Sequence, residues 1–447
     1  MTWRRSVVLA CLSLVMAGPA EPQTGDAIAR AFAEDFFAGR FAPMAARFDE
    51  RVAQALPEAK LTDMRDRLAA QAGAFQAITE TRAEDVKAYH VIYVTCRFEK
   101  MTLDMKVVFD SSNRVAGFTF LPLPPTVAWS QPSYANPDAF VERDVIVGSG
   151  EWQLPGTLSV PHGLGPFPAV VLVHGSGAGD RDESIGPNKP FKDIAWGLAS
   201  RGVVVLRYTK RTLKYSAEAA AAAQAGRFTV RDETIDDARA AVEVLAKAPE
   251  VDRKRIYVLG HSLGGRLAPR IADGTPDIAG LVIMAGGSLP LDENILEQVR
   301  YLAGLRSTDD GGKAVAAAEA AVREMRSPTL TPTTLVEAAG VTLPGSYLID
   351  LRGYHPVETA ARLRLPLLIV QGDVDYQCTL KNFDAWKAGL SRRPHVTFKL
   401  YPGLTHLFMP IATGRSGLST PADYDAPQHV SQAVIEDVAA WLRGARN

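Results

Sequence analysis

The chain reads as an α/β protein built on a mostly parallel, doubly wound sheet with a helical insertion, preceded by a small α+β domain. Three observations predict this. From residue 142 onward, short and fully apolar strands alternate with helical segments, the pattern of a parallel sheet covered on both faces. Ahead of them, helical spacing comes first and runs of period two follow, as in an antiparallel sheet backed by helices. Finally, the apolar run Ile256-Tyr257-Val258-Leu259 leads directly into Gly260-His261-Ser262-Leu263-Gly264. That is a strand–turn–helix signature, with glycines two before and two after the serine so that the neighbouring backbone can approach.

The first element is an export signal over residues 1–20. Arg4 and Arg5 precede the apolar stretch Val7–Ala17, which is too short to span a bilayer comfortably, and Gly18 and Ala20 suit cleavage before Glu21. The expected location is therefore periplasmic or extracellular, by a route the sequence leaves open. Cleavage removes Cys11 and leaves Cys96 and Cys378 in different domains, which make no disulfide framework.

Residues 25–122 form the small domain. Apolar positions at helical spacing predict helices over 27–37 and 61–72. Period-two runs follow at 75–78, 89–98, 101–109 and 115–120, with a hairpin turn at Asp110-Ser111-Ser112-Asn113. Helices followed by a meander suggest a cystatin-like or NTF2-like shape. No catalytic cluster falls in this domain, so a packing or dimerisation role is expected, giving a homo-oligomer; substrate gating or polymer binding is the alternative. A Pro-rich linker or strap spans residues 123–141.

Within 142–447 the strands are expected at 145–147, 154–160, 169–173, 203–208, 256–259, 281–284, 365–370 and 396–400, with clear helices at 232–246 and 432–442. Two insertions break the alternation. Residues 213–228, with Ala219–Ala223, read as a short exposed helix. Residues 289–363, punctuated by Pro328, Pro332 and Pro344, read as a cap that sets pocket size, with Tyr347, Leu351 and Tyr354 lining it.

Composition excludes several function classes. The 447 residues are 47% hydrophobic and 22% charged with a net charge of −1, so nothing draws the chain to nucleic acid or to an anionic membrane surface. Beyond the signal no segment is long and apolar enough to span a bilayer. Cysteines and histidines lack ligand spacing, and neither metal nor cofactor is expected. The cluster Asp180-Arg181-Asp182-Glu183 is read as a brace for the preceding loop, with Lys189 or Arg207 as partner.

Chemistry gathers at the carboxyl ends of the strands. Ser262 sits on the strained turn with its hydroxyl exposed. The strand ending at Gln371 is followed by Gly372-Asp373-Val374-Asp375; Asp375 has the reach of a triad acid, and Asp373 suits capping of its own turn. Of His395, His406 and His429, the first opens a strand and the last opens a helix, whereas His406 lies in the turn Pro402-Gly403-Leu404-Thr405-His406. The expected triad is Ser262, Asp375 and His406. The strand 169–173 ends in His174-Gly175-Ser176-Gly177, where a small-residue turn can aim an amide at a developing oxyanion. The donors expected there are the amides of Ser176 (or Gly177) and Leu263, with His174 a structural hydrogen-bonder.

On these residues the stretch from about 142 to the C-terminus resembles the α/β-hydrolases, in particular the bacterial secreted esterase, dienelactone-hydrolase-like or serine-aminopeptidase-like group. The matching text is His174-Gly175-Ser176-Gly177, Asp180–Glu183, Gly186–Phe191, Gly260–Gly265 and Gln371–Gln377. Residues 25–122 resemble the DUF3887-type domain found ahead of such hydrolases. The resemblance implies carboxylester hydrolysis, with the acid at Asp375 and the base at His406. Cys378 departs from the aliphatic residue expected beside the acid. Short-to-medium acyl esters are the expected substrates. A serine peptidase of short peptides or an acyl-CoA thioesterase would use the same triad, export arguing against the latter, and a non-catalytic binding protein on this scaffold is the rival from another class.

Overall fold

The computed structural model describes residues 25–86, 89–123, 129–305, 310–411 and 415–444. The expected signal peptide and residues 124–128 of the expected linker lie outside the described residues. The chain divides into two compact units, 1–126 and 127–447.

In the first unit, helices Gly25–Phe37 and Glu58–Ala72 precede four strands, β1 (Phe75–Val86), β2 (Tyr89–Phe98), β3 (Thr102–Phe109) and β4 (Val115–Pro122). They pair in sequence order as an antiparallel meander. The sequence suggests only 75–78 for β1. The strand continues to Val86 because Glu80, Arg82 and Glu84 alternate on a polar face that carries no apolar signal. One face of the helices and sheet closes over an aromatic core in which Phe32, Phe36 and Phe37 meet Phe48, Phe75, Phe118 and Phe120.

The second unit is organised by an eight-stranded sheet. Its strands are β5 (Phe140–Val147), β6 (Leu154–Pro161), β7 (Phe167–Val173), β8 (Val204–Tyr208), β9 (Val251–His261), β10 (Ile278–Met284), β13 (Leu367–Gly372) and β14 (Val396–Tyr401), in spatial order β5-β6-β8-β7-β9-β10-β13-β14. β5 and β6 each run against their inner neighbours; the six strands from β8 to β14 are mutually parallel. The hairpin β11 (Leu335–Ala338) and β12 (Val341–Pro344) belongs to the cap.

The central strands read as unbroken apolar runs because both faces are covered. Successive residues point opposite ways, so Val171 and Val173 pack with Leu267, Ile271 and Trp386. Val170 and Leu172 pack with Phe191, Leu198 and Val438 on the other side. Residues from Trp129 onward strap this unit: Trp129 Nε1 donates to Asp193 Oδ1 at 2.9 Å, and Ser130 Oγ lies 3.2 Å from His429 Nε2. The expected exposed helix is Ser216–Gln224, with no buried residue. The cap comprises helices Leu291–Gly304, Asp310–Arg326, Gly345–Arg352 and Pro356–Arg362. Among the described residues no helix is long and apolar enough to cross a membrane.

Candidate active site

Four loops leave the carboxyl ends of β7, β9, β13 and β14, and each carries one part of the site. β9 ends at His261, and Ser262 takes φ +53° and ψ −114° before helix Leu263–Ala272 begins. An L-residue held there is strained. The turn is fixed by Ser262 N donating to Met284 O at 2.9 Å and Gly264 N donating to His174 O at 3.0 Å. The glycine spacing follows from close approach. A Cβ on Gly260 would lie 2.2 Å from Gly264 O, and one on Gly264 would lie 2.2 Å from Val173 O. Ser262 is left half-buried, and its Oγ makes no hydrogen bond among the described residues.

Asp375 is almost fully buried and surrounded by donors. Its Oδ1 accepts from the amides of Gln377 (2.7 Å) and Cys378 (3.0 Å), and its Oδ2 faces Gln371 Nε2 (2.9 Å) and His406 Nδ1 (2.7 Å). Cys378, the departure noted in the sequence, serves the acid through its backbone, and burial pushes its thiol pKa well above the ordinary value. Asp373 instead accepts Gly403 N at 2.7 Å and caps the turn. The acid and histidine loops are pressed together, since a Cβ on Gly372 would fall 2.1 Å from Leu404 O. His406 comes next to the serine turn: its ring lies 4.7 Å from that of His261, and its carbonyl accepts from His261 Nε2 at 3.0 Å.

The loop after β7 completes the site. Gly175 packs on Ser262, an added Cβ there falling 3.6 Å from its Oγ. Gly175 N donates to Glu183 Oε1 at 2.7 Å and Gly177 N to Glu233 Oε1 at 3.1 Å. The Gly177 amide is thereby consumed. The amides of Ser176 and Leu263 donate to no group among the described residues, which leaves the two expected oxyanion donors free.

Beneath this loop lies a buried polar layer that sequence reasoning leaves mostly unassigned. Glu183 carries Oε2 at 3.0 Å from His261 Nδ1, so one carboxylate joins the loop after β7 to the residue before Ser262. Burial by itself pushes the Glu183 carboxyl up, but the facing His261 and the Gly175 amide hold it below its ordinary value. Burial likewise disfavours a charged His261, yet the Glu183 carboxylate outweighs this and raises its pKa above 6.5. His174 takes the structural role expected of it, with Nε2 donating to Asp180 O at 2.8 Å; burial lowers its pKa and keeps it neutral. On the other side Lys210 Nζ donates to Gly175 O at 2.7 Å and to Glu233 at 2.5 Å.

Tyr347, expected to line the cap's pocket, is not among the residues of the cap's cleft; it is buried, and burial together with the Glu233 carboxylate raises its pKa. Leu351 and Tyr354 line a cleft of about 370 Å³ whose lining includes Arg266 but neither Ser262 nor His406. Asp182 pairs with both expected cations, Lys189 at 3.1 Å and Arg207. Lys210, Glu233 and His261 escape notice in the sequence because none has a spacing partner; a lysine just after a buried strand is the one available hint. Among the described residues no group of three His, Cys, Asp or Glu side chains could hold a metal ion.

Residues 170–415 match the family model described as "Alpha/beta hydrolase family", and residues 29–118 match that of a "Protein of unknown function (DUF3887)". The chain is 36% identical to Esterase EstD of Thermotoga maritima over 382 residues, 86% of each chain. Among solved structures it is similar to the esterase domain of a Rhodothermus marinus protein, at 19% identity and TM-score 0.41, covering 68% of this chain and 98% of that one. It is also similar to a puromycin-hydrolyzing peptidase of Mycobacterium tuberculosis, at 16% identity and TM-score 0.44, covering 83% of this chain and 48% of that one.

Proposed function

Because this chain belongs to the alpha/beta hydrolase family, we propose that it hydrolyses carboxylic esters through an acyl-enzyme formed on Ser262. The observation that carries the reading is the meeting of four loops at one sheet edge. They bring a half-buried strained serine, a histidine 2.7 Å from a buried carboxylate, and two amides without acceptors. The esterase named among the relatives supports the substrate class.

In this mechanism His406 Nε2 takes the Ser262 proton as Oγ attacks the ester carbonyl. Asp375 holds the Nδ1–H and stabilises the imidazolium. The amides of Ser176 and Leu263 receive the oxyanion, where one lost donor typically costs about 3–4 kcal/mol in the transition state. His406 then gives its proton to the departing alcohol. A water, deprotonated by the same imidazole, releases the carboxylic acid and restores the serine. Short-to-medium acyl chains are the substrates of this reading, and export to the periplasm or beyond is its setting.

The test is turnover of a p-nitrophenyl ester series by the wild type and by Ser262→Ala, with labelling by a fluorophosphonate. Loss of turnover and labelling in a folded Ser262→Ala protein is the expected result. Turnover in that variant near the wild-type rate would refute the assignment.

A further inference from the structure

The cleft of about 370 Å³ lies between cap helices and helix Leu263–Ala272, and one of its walls is Arg266. Arg266 stands one helical turn beyond the nucleophile, with its amide donating to the Ser262 carbonyl at 2.9 Å. Side chains on a helix lean toward its N-terminus, here the serine end. The guanidinium is accordingly held in the loop that leaves β10, where Nη1 donates to the carbonyls of Gly287 (3.4 Å) and Leu289.

This cation is only 4% exposed, and among the described residues no carboxylate pairs with it. The two acids of the cleft, Asp292 and Glu293, both engage Arg326, the second at 3.6 Å. The neighbouring Arg352 spends Nη2 on the carbonyls of Met325 and Ser327. Arg266 Nε is buried without any hydrogen-bond partner, and its Nη2 has none among the described residues. With Nη1 occupied, what is left is the Nε–Nη2 edge of the fork, the edge that meets a carboxylate through two parallel hydrogen bonds. A buried guanidinium without a counter-charge is costly, and burial pulls its pKa below the ordinary value. Leu348, Leu351 and Tyr354 give the cleft an apolar stretch of wall, with Ser288 and His355 also among its lining.

We infer that this cleft is a carboxylate-binding subsite, and that the esters cleaved at Ser262 include half-esters of short dicarboxylic acids. The proposal rests on the esterase reading above. The acyl chain lies along the apolar wall, its free carboxylate on the Nε–Nη2 edge of Arg266, and its ester carbonyl at the serine. Hydrolysis consumes one water and releases the alcohol and the dicarboxylate.

The test compares mono-p-nitrophenyl glutarate with p-nitrophenyl valerate, which differ by a carboxylate in place of a methyl. A hydrogen-bonded charge of this kind typically contributes enough to change the ratio of kcat/KM, charged over neutral ester, by on the order of ten- to a hundredfold. That ratio is expected to fall by this amount in Arg266→Met relative to the wild type; an unchanged ratio overturns the proposal. Arg266 also holds the Gly287–Leu289 loop, so a second measurement needs no variant. In calorimetry on the wild-type protein, glutarate is expected to bind and glutaramide not to bind. Equal binding of the two, or binding of neither, overturns the subsite. If glutarate binds while no ester is turned over, the esterase reading fails and the carboxylate site stands.

Discussion

Replacing Asp375 by asparagine tests the site through its most constrained atom set. All four groups around this carboxylate are donors: Gln377 N and Cys378 N at Oδ1, and Gln371 Nε2 and His406 Nδ1 at Oδ2. An amide must turn its NH2 toward one pair. The two backbone amides cannot rotate away, so the NH2 is expected at the Oδ2 position, facing His406. His406 can then avoid a donor–donor clash only by moving its proton to Nε2, the atom that must accept the serine proton. Such a tautomer change lowers turnover on the order of ten-thousandfold in triad enzymes. The effect on stability is smaller, because Gln371 Nε2 keeps the carbonyls of Gly372 (3.1 Å) and Cys378 (2.9 Å) as acceptors. One impaired buried contact costs about 1–3 kcal/mol. Ester turnover and thermal unfolding, measured side by side, separate the two. Asp373→Asn is the comparison: its carboxylate accepts one turn amide, which an amide oxygen also accepts. The reasoning is refuted if Asp375→Asn keeps more than about a tenth of wild-type turnover, or if Asp373→Asn falls as far.

The polar layer under the oxyanion loop yields further expectations. His261 has a folded pKa above its ordinary 6.5. Its contribution to stability is therefore complete below 6.5 and is lost as pH rises through the folded value. Glu183, held low, contributes above its ordinary 4.5 and loses that contribution as pH falls through its folded value, while His174, held neutral, adds a loss as pH drops below 6.5. In Glu183→Gln the amide still accepts from Gly175 and can donate to a neutral His261, so the alkaline decline in unfolding free energy should disappear; its persistence would dissociate it from this pair. Lys210→Met strands the Glu233 carboxylate, and a broken buried pair costs about 3–5 kcal/mol. Denaturant unfolding should read that loss, with ester turnover falling as the Gly175–Gly177 loop slackens. Gly264→Ala places a Cβ 2.2 Å from Val173 O, and a soluble, fully active variant would contradict the close-approach account of the motif.

Much of this protein is legible in one dimension because its determinants are local or periodic. Burial on both faces makes a central strand apolar throughout, so β7, β9, β10 and β13 announce themselves. The nucleophile turn is confined to five residues whose glycines answer to backbone contacts, and Asp375 and His406 stand out as residues placed just beyond such strands. β1 is only partly legible, since its outer half alternates polar residues without an apolar face. What the chain order leaves undecided is decided by contacts between loops distant in sequence. Gly177 is removed as an oxyanion donor by Glu233, 56 positions away. Glu183 is tied to His261, and Lys210 to Glu233. The uncompensated charge of Arg266 exists only because the loop after β10 takes one edge of its guanidinium while the nearby acids go to Arg326. A hydrogen bond or a missing counter-charge is a property of pairs in space, set by how strands bring their ends together, and it leaves no period or spacing in the sequence.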